Sequence, residues 1–455
     1  MSFASVNPHD PADVIGEWPA ADEAEVAAAV GRATAAAREW AAVAAPARAA
    51  ALGNAANALA ERAGEVTEQV IREVGKPRSE AAGEVARGIA ILRYYAQVAL
   101  LPDGETIPAA SPDTLLMARH RPVGVTALIT PWNFPVAIPL WKAAPSLAFG
   151  NATTLKPAGV ATGTALLLHQ IVAPHLPADV FQVVLGDAGP GRALAEHPDV
   201  AAVSFTGSVP VGRDVVARVA ARGGRVQAEM GGQNASIVLA DADLGRAAAA
   251  VAYAAMGYAG QKCTATSRII VVDAAYEQFR AALADAIGAL GVVGPAEDKT
   301  LVGPVISERA RASALAAIEG SGGQVVTGGT AVDAPGYYLA PTVVELGSPS
   351  GPLATEEVFA PVAALLRAPT PEAAVEIANG VRYGLVASVF TRDLGRALTL
   401  TERLDAGMVR VNAPTSGVDF QAPFGGAKQS SYGPREQGLA ARDFYTETRT
   451  ITIVP

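Results

Sequence analysis

VSFTGSVPVGRDVV, residues 203–216, reads as a strand that runs into a glycine turn and out again into a helix. β-Branched and aromatic residues give way to Gly207 and Ser208, and helical spacing begins near Gly212. Glycines at such a turn let backbone approach a diphosphate, and the helix N-terminus offers free N–H groups and the positive end of its dipole. An ordinary tight turn has the same residues, because short glycine patterns carry little information alone. The surroundings decide.

Outward from this turn, short β-branched segments alternate with helical ones. VGVTALITPWNFP, NATTLKPAG, VFQVVLG and VAAVSFTGS are separated by helix-period stretches, which predicts a parallel sheet covered on both faces. The texture repeats after Met230 in ASIVLADADL, SRIIVVD, APVAALLRA and GLVASVFTRD, predicting a second α/β domain. Residues 21–100 place alanine-rich apolar positions at helical spacing between charges and are expected to be helical. The proline-interrupted segment 104–122 is expected to be extended surface chain. YTETRTITIVP at the C-terminus alternates like a strand without a local partner, which predicts pairing elsewhere, with another subunit as one option.

The chain has 455 residues, enough for two or three domains, with 50% hydrophobic and 17% charged residues. Its mean hydropathy is +0.26, much of it from alanine, and its weakly polar runs are too short to span a bilayer. The net charge of −9 is spread along the chain and argues against nucleic acid as a partner. The start MSFASVNPHD lacks the pattern of a signal peptide, and a single cysteine excludes an internal disulfide and a zinc–cysteine cluster. A cytoplasmic globular enzyme is the expectation.

Four stretches carry candidate chemistry. In PWNFP, prolines fix the chain at a strand end, so the Asn133 amide can serve a developing oxyanion or simply make an Asx turn. In EMGG, Glu229 ends a strand beside Gly231 and Gly232, as a general base or as a solvated edge residue. In EEVFAP, acidic residues adjoin Phe359 and Pro361, as a loop over a pocket or a surface turn. The lone Cys263 stands in GYAGQKCTATSR among polar neighbours, where Lys262 and backbone N–H groups would favour thiolate, the nucleophilic form. A free cysteine is also a common small core residue, but polarity tips this one toward nucleophile.

Taken in order, PWNFP, KPAG, FTGSVPVG, EMGG, GQKC, EEVFAP and PFGGAKQSSYGPREQG resemble the NAD(P)-dependent aldehyde dehydrogenase superfamily over nearly the whole chain. The resemblance implies a Rossmann-like cofactor domain (1–230, interrupted by 104–122), an α/β catalytic domain (231–430) and a small β oligomerisation element (104–122 and 431–455). It implies Cys263 as nucleophile, Asn133 and the Cys263 backbone N–H as oxyanion hole, Glu229 as general base and Glu436 in a proton relay behind it. Trp132 and Ser208 would contact the diphosphate beside Gly207, Lys156 the adenosine ribose, and Glu357 the nicotinamide ribose near Gly231, with Phe359 against the nicotinamide. Arg225, Arg435 and Glu447 match charged residues that buttress the active site and subunit contacts. The implied reaction proceeds through a thiohemiacetal, hydride loss to the nicotinamide and hydrolysis of a Cys263 thioester, with no metal. Deprotonating that water at neutral pH calls for some burial of Glu229.

Departures from the family sharpen the reading. Gly159 stands where many NAD-preferring members have glutamate; its absence would leave Lys156 free to pair with a 2′-phosphate, which favours NADP over NAD. LGDAGPGRAL follows the usual glycine spacing only roughly across Gly186–Gly191, and Ala360 and Ser431 replace common glycines. Phe134, Trp141 and Tyr258 are candidates for the aldehyde tunnel, or equally core aromatics. Trp141 occupies the position of an arginine common in the succinic semialdehyde type, so that carboxylate clamp is missing. PWNFPVAIPLWKAAPSLAFGN, GQKCTATSR and SSYGPREQG nevertheless look most like the 2-oxoglutarate semialdehyde (2,5-dioxopentanoate) dehydrogenase group. An uncharged aliphatic or aromatic aldehyde is the alternative substrate. A CoA-acylating or esterolytic relative and a catalytically silent binding protein are the rival functions, against which intact Cys263, Asn133 and Glu229 argue. A homodimer or homotetramer is expected.

Overall fold

The computed structural model describes residues 2–292 and 302–455. Four helices, Glu23–Ala42, Ala45–Glu61, Ala63–Val74 and Arg78–Val98, occupy the region where alanine spacing predicts them. The first starts at a capping box, in which Asp22 accepts from the Glu25 N–H while Glu25 accepts from the Asp22 N–H, two otherwise orphaned donors satisfied at once. Buried Ala29, Ala33, Ala36 and Ala37 give it a small-residue face against the sheet beyond.

That sheet has six strands, in the order Ser431–Tyr432, Arg225–Glu229, Ala202–Thr206, Val125–Ile129, Ala152–Lys156 and Phe181–Val183. All but the first run parallel, and the three central strands are buried along their whole length. Burial on both faces is why they read as continuous apolar runs. A second sheet orders Gln324–Thr327, Thr342–Glu345, Val362–Ala368, Thr266–Val272, Asn234–Val238, Val386–Phe390 and Met408–Val411, parallel except for its first strand. The first sheet presents the C-terminal ends of its strands to the site, where they run into PWNFP, FTGS and EMGG. The second sheet presents N-terminal ends, with EMGG, the Cys263 turn and EEVFAP leading into Asn234–Val238, Thr266–Val272 and Val362–Ala368.

The C-terminal strand Thr446–Ile453 pairs away from its sequence neighbours, antiparallel with Leu115–Pro122 of the same chain, which in turn pairs with Gly104–Ile107. Two features differ from expectation. Ser431–Tyr432, assigned to the oligomerisation element, instead joins the first sheet beside Glu229. Residues 2–19 form a β-hairpin that the sequence did not announce. No helix among the described residues is long and apolar enough to cross a membrane.

Candidate active site

The chain leaves the strand Val125–Ile129 into PWNFP and enters the helix Ala137–Ala148. Buried Glu84 holds that entry, accepting from the N–H groups of Val136 at 2.8 Å and Ala137 at 2.9 Å, and buried Lys76 neutralises it. A carboxylate on free N–H groups at a helix start is favourable for both hydrogen bonding and the helix dipole. Asn133 then reaches across the molecule and donates through Nδ2 to the Gln261 carbonyl at 2.9 Å, linking PWNFP to the Cys263 segment. An amide NH2 has a second hydrogen.

Cys263 follows a backbone of unusual shape. Tyr258, Ala259 and Gly260 have φ of 54°, 52° and 66°, a left-handed turn between the helix Leu244–Met256 and the strand Thr266–Val272. Left-handed backbone costs non-glycine residues of order 1 kcal/mol or more each, so the surroundings must enforce it. A side chain at Gly260 would lie 2.2 Å from the Ala360 carbonyl oxygen, which explains that glycine. Asn234 donates to the carbonyls of Cys263 at 2.8 Å and Ala265 at 2.7 Å and so fixes the turn. Asn234 escaped the sequence reading; its signal was a buried amide following the Gly231–Gly232 pair.

Cys263 is the shared wall of two cavities. One, of about 270 Å³, is lined by Trp132, Asn133, Gly207, Ser208, Gly231, Glu357 and Phe359 among others. Trp132 and Phe359 meet edge to face at 5.8 Å. Glu357 accepts from the Gly232 N–H at 3.0 Å, and a side chain at Gly231 would collide with its carboxylate at 2.0 Å. Burial pushes the Glu357 carboxyl up to about 7. Ser208 begins the helix Val209–Ala221 without spending its hydroxyl on the cap, so helix N–H groups and hydroxyl both remain for a ligand. A flat aromatic slot, one carboxylate and a helix N-terminus at the strand ends fit the nicotinamide ribose and diphosphate of a dinucleotide.

Lys156 and Gly159 lie outside these walls. Lys156 is not free: its Nζ donates to the Gly186 carbonyl at 2.9 Å, and burial pushes its pKa down to about 8. A side chain at Gly159 would meet the Asp187 carboxylate at 2.7 Å, so negative charge already borders the place where NAD-preferring relatives carry glutamate.

The other cavity, of about 300 Å³, faces Cys263 from the helical side, with Phe134, Trp141 and Phe424 among its walls. Trp141 donates through Nε1 to Glu436 at 2.7 Å and tilts against Phe424. Tyr258 does not line it. The left-handed turn drives Tyr258 beneath Phe134, fully buried, with its hydroxyl on the Val74 carbonyl. Lys262 does not attend the thiol either: its Nζ pairs with Glu80 at 2.7 Å. Burial, with the charges of Glu357 and Glu229, pushes the Cys263 thiol up to about 12, against the pull of the Cys263 and Thr264 N–H groups. The resting side chain is a thiol.

Glu229 is buried at its strand end, where the Ser431 hydroxyl donates to it at 2.5 Å. Burial and the nearby Glu436 charge hold its carboxyl well above the usual range. Glu436 itself is buried in an ion pair with Lys142 and accepts from Ser204 at 3.1 Å and Gln227 at 3.3 Å. Arg435 donates to the Gly426 carbonyl. Arg225 ties its strand to the carbonyls of Asp443, Phe444 and Thr446, while Glu447 pairs with Arg121 on the surface of the three-stranded sheet.

Two parallel sheets that converge on one cysteine, with a dinucleotide slot on one side and an aromatic cavity on the other, define an aldehyde-oxidising dehydrogenase. The chain belongs to the aldehyde dehydrogenase family, whose profile matches residues 1–451. It is 41% identical to the alpha-ketoglutaric semialdehyde dehydrogenase of Bacillus subtilis (strain 168), over 99% of this chain and 94% of that protein. The fold superposes on the NAD-dependent aldehyde dehydrogenase from Sinorhizobium meliloti with a TM-score of 0.96 at 33% identity, covering 100% of this chain and 91% of that one. An E. coli NADP-dependent enzyme matches equally well, with a TM-score of 0.96 at 33% identity over 100% of this chain and 95% of that one. The enzyme is therefore an aldehyde dehydrogenase using NAD or NADP.

Proposed function

We propose that this enzyme oxidises a carboxylated semialdehyde of the 2-oxoglutarate semialdehyde type to the acid, with Cys263 as nucleophile. One observation carries the mechanism: Cys263 is the wall common to both cavities. The Bacillus subtilis relative named for alpha-ketoglutaric semialdehyde supports the substrate class.

Because the thiol rests protonated, attack on the aldehyde needs a base at that moment. Glu229 takes the proton, and to do so it leaves Ser431. The Cys263 sulfur bonds to the aldehyde carbon, and the resulting oxyanion is held by the second Asn133 N–H and the Cys263 backbone N–H. A bound nicotinamide supplies the hydride acceptor, and the substrate carbon is left as a thioester on Cys263. Glu229 first releases the thiol proton to solvent, then deprotonates a water that attacks this carbonyl; the C–S bond breaks, and Glu229 returns the water's proton to the sulfur. Trp132, Glu357 and Phe359 bind the nicotinamide ribose end, Gly207 and Ser208 the diphosphate. Glu436 acts behind Glu229 as a buried partner of Lys142.

At the adenosine end, an uncharged Gly159 favours NADP, but a 2′-phosphate would meet the Asp187 carboxylate beside it, and Lys156 already gives one of its three N–H groups to the Gly186 carbonyl. This balance favours NAD. For assembly we retain a homodimer or homotetramer through the three-stranded sheet. Exposed Ile107, Leu115, Ile453 and Val454 on it, and the open edge of the C-terminal strand, support this.

The test is reduced-cofactor formation with NAD and NADP across carboxylated and uncharged aldehydes, with Cys263→Ala as control. Turnover is expected with a carboxylated semialdehyde and absent in Cys263→Ala. A preference for uncharged aldehydes would overturn the substrate reading and leave the aromatic faces of Phe134 and Trp141 as the whole specificity.

A further inference from the structure

The cavity in front of Cys263 contains one positive charge that the mechanism leaves unused. Four ionised side chains line it: Glu80, Glu84, Lys262 and Arg87. Glu80 is neutralised by Lys262 at 2.7 Å, and Glu84 by buried Lys76 from behind the wall. Arg87 has no ion-pair partner among the described residues. Asp419, on the exposed chain beside Val418, and the already paired Glu84 attract it only from beyond pairing distance. With both acids paired, the cavity carries the surplus charge of one guanidinium.

The guanidinium is also short of hydrogen bonds. One Nη2 donates to the Val418 carbonyl, while the buried Nε–H has no partner. A guanidinium does not lose its proton in proteins, so burial cannot be relieved by neutralisation. Buried donors without partners are rare, and each one calls for an explanation. An anion that completes the fork supplies one: guanidinium geometry matches a carboxylate in a two-point, charge-assisted contact. The Trp141 position offers no cation for this, since its indole N–H is spent on Glu436.

We propose that Arg87 binds the carboxylate at the far end of the substrate and sets the preference for carboxylated over uncharged aldehydes. The aldehyde then lies toward Cys263 on the same cavity wall, with its chain against Phe134 and Trp141. The inference rests on the carboxylated-semialdehyde reading above and adds the residue responsible for it.

Arg87→Met and Arg87→Lys enzymes separate the two claims. The readout is the ratio of kcat/KM for a five-carbon semialdehyde with a terminal carboxylate to that for pentanal. In Arg87→Met this ratio is expected to fall about 30-fold, mainly through KM, as loss of a charge-assisted contact implies. Arg87→Lys keeps the charge without the fork and should fall between. Thermal stabilisation by 2-oxoglutarate, a dicarboxylate probe that needs no turnover, should be seen in the native enzyme and lost in Arg87→Met. An unchanged ratio in folded Arg87→Met, with the native enzyme still preferring the carboxylated aldehyde, overturns the assignment of Arg87 alone. A native enzyme with no such preference overturns the substrate reading itself. Equal losses on both aldehydes would make Arg87 only a tether for Val418 and would also overturn the proposal.

Discussion

Consider the substitution Glu436→Gln, which keeps the side chain's shape and removes its charge. Glu436 is 2% exposed, and its partner Lys142 is fully buried. Four donors converge on its two oxygens: Lys142 Nζ, Trp141 Nε1 at 2.7 Å, Ser204 Oγ at 3.1 Å and Gln227 Nε2 at 3.3 Å. Glutamine leaves the Lys142 ammonium without its counter-charge, and its NH2 must face a group that is itself a donor. Lys142 keeps only Ser204 Oγ at 2.7 Å and the Phe205 carbonyl at 3.5 Å. Breaking a buried pair from one side costs about 3–5 kcal/mol, because the surviving charge is uncompensated. Removing both charges, in Lys142→Met with Glu436→Gln, should recover most of that loss. The assay is equilibrium urea unfolding followed by tryptophan fluorescence, with Trp141 inside the perturbed network. The single variant should unfold at clearly lower urea, and the double variant near the native midpoint. If Glu436→Gln is as stable as the native enzyme yet inactive, the ion-pair argument fails and Glu436 serves proton transfer alone.

Three further predictions follow from the site. Alkylation of Cys263, the sole cysteine, should accelerate roughly tenfold per pH unit from pH 7 to 9 in the free enzyme, as expected for a thiol near 12. Lys262→Met should leave that profile in place, and a plateau near pH 8.5 would refute the buried-thiol picture. The hydrolytic step needs ionised Glu229, whose proton affinity is raised, so kcat should rise with pH beyond the ordinary carboxylate range. Ser431→Ala removes a hydrogen bond that favours the ionised form and should move that limb to more alkaline pH; movement the other way would refute the role given to Ser431. Asp187→Ser should tighten NADP relative to NAD in equilibrium binding by about tenfold, because one repulsive charge near the 2′-phosphate is gone. An unchanged ratio of the two dissociation constants would return the specificity to Lys156 and Gly159.

The order of the motifs made the architecture legible, because each one sits at a strand end where the sheets deliver ligand-binding loops. Strands buried on both faces announce themselves as continuous β-branched runs, as in Val125–Ile129 and Ala202–Thr206. The hairpin of residues 2–19 did not, since proline, aspartate and glycine in PHDPADVIGEWP dilute its alternation. The C-terminal strand was legible as a strand, but its partner was not. Its register pairs Thr446 with Pro122, and nothing local in either segment specifies so distant a match.

The differences between sequence and site share one cause, which is that neighbours in the chain are not neighbours in space. Lys262 precedes Cys263, yet consecutive side chains on so tight a turn diverge, and the lysine goes to Glu80 from the helical region. Tyr258 lies five positions before the thiol, but three left-handed residues reverse the chain between them and send the ring beneath Phe134. The same effect hid the groups that matter. Asp187 reaches Gly159, Ser431 reaches Glu229 and Arg87 shares a cavity with Cys263, each pair joined by the fold and not by proximity in the chain. A lone cysteine among polar neighbours suggested an activated thiolate. The structure instead surrounds it with burial and carboxylates, which raise its proton affinity and hold it as a thiol. Under the proposed mechanism, reactivity is tied to the position of Glu229, and Ser431, which donates to Glu229, is the contact that would set when the thiol becomes nucleophilic.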